Sequence, residues 1–517
     1  FFFKQKTAYE ITYGDWSSDV CSSDLGRPSL LRNWLSLTGI VVVIGSMFST
    51  LLLFLLDMMS KAPNPYVGIL TYFVAPAFFI LGLFFTIVGA WREKRKLGQV
   101  TGGIWPKMVV DLSRPKDRKA MAFFITGAVL FLLISAVGSY HTYHFTESVT
   151  FCGEACHTVM KPELVTHQLG SHARIACTEC HIGSGAKWFV KAKVSGTYQL
   201  YAVAFDKYPR PVPTPIKNLR PAQDTCEQCH WPKKFVGNLE RTFNYYLPDE
   251  TNSPYSIRLL MKVGGGDPTH GPVGGIHWHM NVGKKTEYIA AKQEKGVWVA
   301  DETRQSIPWI RTVDEQGVVT EFRKKTFTND IAGFNIRTMD CMDCHNRPAH
   351  TYRAPSDAVD LAMTLGQIDR SMKWIKTNAV YALTRNYTND EHAAQGIATH
   401  LSQQYPEDAR VKQAIASVQK IYSENFFPEM KASWKVYPNN IGHMEWPGCF
   451  RCHDGLHKTA DGKQSVKASD CNTCHTILAQ GAGDELLKMN PGGMKFAHPG
   501  DELDANPTCN ECHTGGL

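Results

Sequence analysis

Apolar residues dominate three runs in the first third of the chain, Leu35–Leu56, Val67–Trp91 and Ala120–Tyr140. Each approaches the roughly 20 residues that a membrane-spanning helix needs. The first lacks the polar stripe that a helix on a soluble core keeps, and Pro76 in the second is of a kind that membrane helices tolerate. Beyond Tyr140 the pattern changes. Residues 151–231 show few strand signals, and Ala186–Ala204 mixes Lys with Trp, Phe, Val and Tyr as an amphipathic helix would at a lipid interface. The Pro-rich stretch Tyr208–Pro215 ends it. Alternating runs at Tyr255–Val263 and Gly296–Ala300, and a hairpin over Ile307–Lys325 turning at Asp314–Gly317, predict a β-rich insert over residues 236–335. Ala354–Glu429 has a helical period broken by Gly and Pro.

Charge orients this layout. Between the second and third runs, Arg92–Lys119 holds nine Lys/Arg against three acids, whereas the first loop offers only Lys61 and Asp57. Cationic loops stay cytoplasmic, so the N-terminus is expected inside and everything after Tyr140 outside. Residues 1–25 read as translated sequencing-adapter text, in Lys4–Ile11 and Gly14–Leu25, and the natural start is expected to be missing. Without them the net charge of +7 becomes +9, from 53 basic and 44 acidic residues. Residues 26–140 carry +8 of it, twelve Lys/Arg against four acids, leaving +1 for residues 141–517. The basicity is therefore a topology signal, and nucleic acid is not expected as a partner.

Cysteine supplies the chemistry. Fourteen of the fifteen cysteines form seven pairs, each followed at once by His: Cys152/Cys156/His157, Cys177/Cys180/His181, Cys226/Cys229/His230, Cys341/Cys344/His345, Cys449/Cys452/His453, Cys471/Cys474/His475 and Cys509/Cys512/His513. This is the attachment signature of c-type haem, with two thiols for the two vinyl groups and an imidazole for the iron. Zinc ribbons and disulfides share the paired cysteines, but neither requires a His after the second Cys seven times. Motif one has three intervening residues where the others have two. The fifteenth cysteine, Cys21, falls in the excluded segment, so no thiol is left for a structural disulfide. No His precedes His141, so the spans offer no ligand for a membrane-embedded haem.

The text around motifs one to four resembles the NapC/NirT family of membrane-anchored quinol-oxidising cytochromes. It is carried by CGEACHTVMKPE, SHARIACTECHIGSGAKWFVKAKVSG, DTCEQCHWP and CMDCHNRPAH, over residues 120–230 and 337–352. The wider layout is similar to heptahaem inner-membrane cytochromes of metal-respiring bacteria. The resemblance implies that His350 is the distal ligand of haem two and His172 that of haem four. It places quinol beside haem one, with Met160 near the iron and Lys193 near the headgroup. Here Met160 sits three residues after His157, one more than in the family, so both remain candidate ligands. Lys191 competes with Lys193, and Asp206 and Glu163 are the candidate acidic partners. Reach along the chain favours His443, His457 and His498 as distal ligands of haems five to seven, and His277 or His279 is expected for haem three, which would explain why IHWHM sits in the insert. His141, His144, His167 and His270 are further candidates; His392 and His400 read as helix-surface residues.

The expected protein is mainly α, a membrane-anchored multihaem cytochrome. Its parts are three transmembrane helices (26–140), haems one to three (141–235), the β-rich insert (236–335), motif four (336–353), a helical segment (354–436) and a trihaem tail (437–517). The expected activity is oxidation of menaquinol at the outer face of a bacterial inner membrane, with electrons passed through seven c-type haems to periplasmic c-type cytochromes or a periplasmic reductase. The alternatives are a membrane-anchored terminal reductase of a small oxyanion and a conduit without a quinol site. Against the reductase, no motif replaces its His by Lys.

Overall fold

The structure is a computed structural model that describes residues 33–59, 70–100, 113–155, 157–183, 186–216, 219–231, 237–264, 275–280, 285–467, 474–500 and 508–516. It divides into two units, residues 1–147 and 148–517. In the first, the apolar runs form helices α1 (Trp34–Met59), α2 (Ala75–Val100) and α3 (Pro115–Thr146), and a π-helical turn over Leu70–Val74 leads into α2. Two of these runs, Trp34–Leu55 and Leu70–Lys96, are long and apolar enough to cross a membrane. The third predicted span lies within the 32 residues of α3.

Their packing inverts that of a soluble bundle. Ser36, Ser46, Thr50 and Thr71 are buried, while Val41, Ile44, Phe48, Phe78, Ile80 and Phe84 face outwards. Small residues bring α1 and α2 together: a Cβ on Gly82 would lie 2.9 Å from the Gly39 carbonyl oxygen. Ser36 donates to the Thr86 carbonyl at 3.1 Å, and Ser46 donates to that of Ala75. Close backbone approach with hydroxyl bonds across the interface is how helices associate where lipid removes the hydrophobic drive.

The second unit begins with α4 (His157–Gln168), α5 (Cys177–His181), α6 (Ala186–Ala204) and α7 (Ala222–Cys226). The β-rich part follows with β1 (Leu239–Tyr246), β2 (Pro254–Met261), β3 (Lys285–Ile289), β4 (Ala291–Glu294), β5 (Val297–Ala300), β6 (Trp309–Val313), β7 (Val319–Lys324) and β8 (Ile336–Thr338). The predicted hairpin is β6–β7. Asp314 accepts from the N–H groups of Gln316 and Val318, and Gly317 takes φ +80°, where a side chain would be strained. Asp301 shapes the preceding loop, its buried carboxylate accepting from the N–H groups of Thr303, Gln305 and Ser306. Trp309, Phe327 and Ile289 are fully buried in this part's core.

After α8 (Cys341–Cys344), the helical segment resolves into α9 (Pro355–Thr364), α10 (Ile375–Thr384), α11 (Asp390–Gln404) and α12 (Val411–Asn425). Val359, Ile375, Ile397, Leu401 and Val418 form their shared core, which Tyr246 of β1 and Val159 of α4 join. A buried ion pair, Lys376 with Asp360 at 2.8 Å, ties β1 to it, because Asp360 also accepts from the Tyr246 N–H at 3.2 Å.

The β-rich insert does not close its sheets alone. Strand β9 (His457–Lys458) pairs with β7, giving the order β8-β3-β6-β7-β9, and β10 (His475–Gly481) pairs with β2, giving β1-β2-β10. The tail is thus woven into the insert. Its last helix, α13 (Cys509–Cys512), leads to an end held on the helical core, where Trp434 Nε1 donates to the Thr514 carbonyl at 3.0 Å.

Candidate haem centres

Most Cys-pair motifs are set on a helical turn, which is what their spacing favours. Residues three apart lie on one helix face, so a two-residue spacer turns both thiols the same way. Motifs two, four and seven form α5, α8 and α13, and motif five lies on a 3-10 turn over Gly448–Arg451. In motifs three, four, five and seven the His N–H donates to the first Cys carbonyl, at 2.8, 2.8, 3.0 and 2.8 Å, closing the turn. Motif four is the most firmly held: Asp340 caps α8 by accepting from Met342 N–H, and Asp343 accepts from Asp340 N–H. Tyr288 of β3 donates to the same Asp343 at 2.5 Å, and Arg304 and Arg337 pair with it. Motif one, with its longer spacer, starts on a π-helical turn over Phe151–Ala155, the form that takes an extra residue per turn. Cys156, Cys471 and His270 lie outside the described residues, as do the side chains of His157 and Lys193.

Not every attachment cysteine stands on a helix. Cys229 of motif three lies past the end of α7 and is exposed. The chain there has left the helix for a tighter turn, in which the Cys229 N–H donates to the Cys226 carbonyl at 3.2 Å. Cys474 of motif six stands on no helix at all but directly before β10. Its carbonyl accepts from the Lys262 N–H at 2.8 Å, so pairing with the end of β2 draws this motif into the sheet.

The decisive geometry is in the histidines. Six motif histidines each face a second His from elsewhere in the chain. The pairs are His181–His350 (ring centres 6.4 Å apart), His230–His172 (6.0 Å), His345–His277 (6.2 Å), His453–His279 (5.9 Å), His475–His443 (6.3 Å) and His513–His498 (6.0 Å). Two imidazoles on opposite sides of one metal ion, each bonded through nitrogen at about 2 Å, have ring centres about 6 Å apart. The spacing therefore fits one iron between each pair. Each pair offers two donors facing one position, the number of axial ligands that haem iron takes.

Hydrogen bonds orient the second rings. The Nδ1 atoms of His350, His172, His277 and His279 face the backbone carbonyls of Glu163, Pro348, Val263 and Ile276 at 2.9, 3.0, 2.6 and 2.9 Å. A proton held on Nδ1 leaves Nε2 as the ligating atom, the usual arrangement behind a metal-bound His. Burial, and then the neighbouring His, lowers the pKa of His453, His475 and His513. These rings are kept neutral, the form a metal binds.

Several assignments made from sequence change. His350 does face His181 of motif two. His172, however, faces His230 of motif three, not motif four, because the Pro348 carbonyl draws its ring there. His277 and His279 face motifs four and five, not three. His457 is fully buried, with Nδ1 2.8 Å from Asp454 and Nε2 2.7 Å from the Ile307 carbonyl, so both its nitrogens face oxygen atoms. Burial opposes ionisation of Asp454, but hydrogen bonds from His457 and Lys324 outweigh it and hold the carboxyl at about 2. His167 also lies 6.0 Å from His350, yet its Nε2 is 3.0 Å from the Ile175 carbonyl. His443 and His498 face motifs six and seven. His392 is exposed on α11 and His400 is half-buried against Tyr381. Reach along the chain pointed to His498 for motif seven, whereas the facing of His172, His277, His279 and His443 with their motifs had no signal in sequence spacing.

The proposed quinol residues are spread along one helix and its flank. Lys191 is exposed on α6 with its ammonium 5.1 Å from the Trp188 ring. Val194, Tyr198, Tyr201 and Phe205 form an exposed stripe along the same helix. Asp206, just beyond it, pairs with Arg210 at 2.6 Å, and Glu163 lies 3.1 Å from His350 Nδ1. Met160 is half-buried against the helical core.

Compared with known proteins, the chain is 42% identical over 498 residues to the cytochrome c-type protein ImcH of Geobacter sulfurreducens, a match covering 93% of this chain and 95% of that protein. No family model and no solved structure matches it.

Proposed function

The chain belongs to the family of the cytochrome c-type protein ImcH, and from that premise we propose that it is a menaquinol-oxidising electron-transfer cytochrome of a bacterial inner membrane, with seven covalently attached c-type haems. The observation that carries this reading is the set of six His–His pairs, each built on a His that follows a Cys pair. Haem bound there supplies reversible one-electron exchange. The cysteines would hold it covalently, and at six of the seven motifs the paired imidazoles would ligate the iron from both sides, leaving no open position there for an oxyanion substrate. That favours a relay over a terminal reductase.

Three spans, α1 to α3, anchor the protein with its N-terminus inside and residues after Tyr140 in the periplasm. The aromatic stripe of α6 suits a lipid interface, where Tyr and Phe sit well, and brings Lys191 and Lys193 to the depth of a quinol headgroup. Oxidation of quinol releases two protons with its two electrons, so the site needs groups that accept protons beside the first haem. Lys193, Lys191 and Asp206 are the candidates, with Glu163 of α4 a further one. His157, Met160 or both ligate that first haem. Electrons leave for periplasmic c-type cytochromes or a periplasmic reductase through weak, electrostatically steered docking.

The test is purified protein in detergent mixed with a menaquinol analogue. Haem reduction within the mixing experiment is expected; reduction by dithionite alone would reject quinol oxidation. Lys193→Ala is expected to slow reduction by quinol at least tenfold while leaving reduction by dithionite unchanged. Unaltered quinol kinetics in that variant, with slowing in Lys191→Ala, would move the role to Lys191.

A further inference from the structure

One five-residue 3-10 turn, Ile276–Met280, carries two of the paired histidines. His277 stacks towards His345 of motif four, with the rings 6° from parallel, and His279 meets His453 of motif five edge-on at 89°. Residues two apart on so tight a turn point to different sides, so one short segment serves two sites. The two motifs are also joined directly. Arg451, between the cysteines of motif five, donates to the Asp343 carbonyl of motif four at 2.6 Å, and Asn440 donates to the same oxygen at 3.0 Å. The turn itself is fixed by the Ile276 N–H, which donates to the Lys262 carbonyl at 2.8 Å just past β2.

The geometry points to the β-rich insert as the ligand bridge between the haems of motifs four and five, with His277 the distal ligand of the fourth and His279 that of the fifth. The insert then joins the quinol-side haems to the tail. With haem bound at both motifs, electrons would cross from one group to the other at this turn. This inference rests on the reading that the motifs bind haem.

The test uses the full chain produced with its haems attached, examined by electron paramagnetic resonance and by haem content. His279→Gly should convert one haem per chain from low spin to high spin, and added imidazole should restore it; His277→Gly should convert a different one, and the double variant two. In a Cys449→Ala/Cys452→Ala background, which binds no haem at motif five, His279→Gly should create no high-spin haem while His277→Gly still does. If His279→Gly prevents the chain from accumulating, His279→Met keeps an axial ligand and should raise the potential of one haem, since Met/His ligation favours the reduced state. An all-low-spin His279→Gly, a high-spin signal that persists without motif five, or unshifted potentials in His279→Met would overturn the assignment alone. A wild-type chain without His–His low-spin haem would instead overturn the reading beneath it.

Discussion

At the scale of single residues, the chain holds two kinds of histidine that sequence alone does not distinguish. His443 and His457 both stand a few residues from motif five, yet His443 faces His475 while both nitrogens of His457 face oxygen atoms. Replacing each by Ala should separate them. His457→Ala leaves Asp454 with Lys324 but without its His, and the Ile307 carbonyl without that donor, at a cost of about 2–4 kcal/mol, with the haem spectrum unchanged. His443→Ala should open one haem to high spin with a smaller loss of stability; chemical denaturation and the visible spectrum read both. Asp301 gives a pH prediction. Burial would raise its pKa, but hydrogen bonds from Thr303, Ser306 and Gln305 outweigh that and the net shift is downward. Its stabilising contribution is therefore complete above the unfolded value of about 4 and lost as pH falls through the lower folded one. Asp301→Asn should remove that part of the acid lability, and comparison of stability at pH 7 and pH 3 checks it: a variant whose acid sensitivity equals that of wild type would rule Asp301 out.

At the scale of elements, what could be read from the sequence was what is encoded locally. The apolar runs became α1 to α3, the Asp314–Gly317 turn became the β6–β7 hairpin, and the helical period over Ala354–Glu429 became α9 to α12. Each depends on residues close in sequence. The distal ligands could not be read the same way. His350 reaches motif two from beyond motif four, and His277 sits in a strand-rich insert, so their places depend on the path of the whole chain. Register between distant strands is equally non-local, and the pairing of β2 with β10, which takes Cys474 off any helix, left no mark on either segment beyond alternation. Within the anchor, close helix contact rests on Gly39 and Gly82. Gly82→Leu should push α1 from α2 and weaken their association by about 1–3 kcal/mol. Unfolding in detergent micelles would show it, whereas the same change at Gly45, where an added Cβ meets nothing within 4 Å, should be close to neutral.

For the haem-bearing unit as a whole, the question is whether the three-motif tail is an appendage or part of the fold. Strand β10 lines the inner edge of β2 over six register positions, β9 closes the edge of β7, and Trp434 and Tyr437 lie in the core of the helical segment. Truncation after Val436 removes both strands and Tyr437. At about 1 kcal/mol for each net backbone hydrogen bond, the loss of β10 alone is on the order of 5 kcal/mol, as much as the entire net stability of many domains. It also bares β2, an apolar edge of the kind that pairs with other chains. The truncated protein is therefore expected to lose protection across β1 and β2, residues 239–261, and to aggregate, although the first four motifs remain intact. Hydrogen exchange over these strands, in full-length and truncated chains, decides it. Retained protection would make the tail a separable carrier of its three motifs; lost protection would mean that the insert and the three-motif tail are built on one shared pair of sheets, so that neither can be exchanged without rebuilding the other.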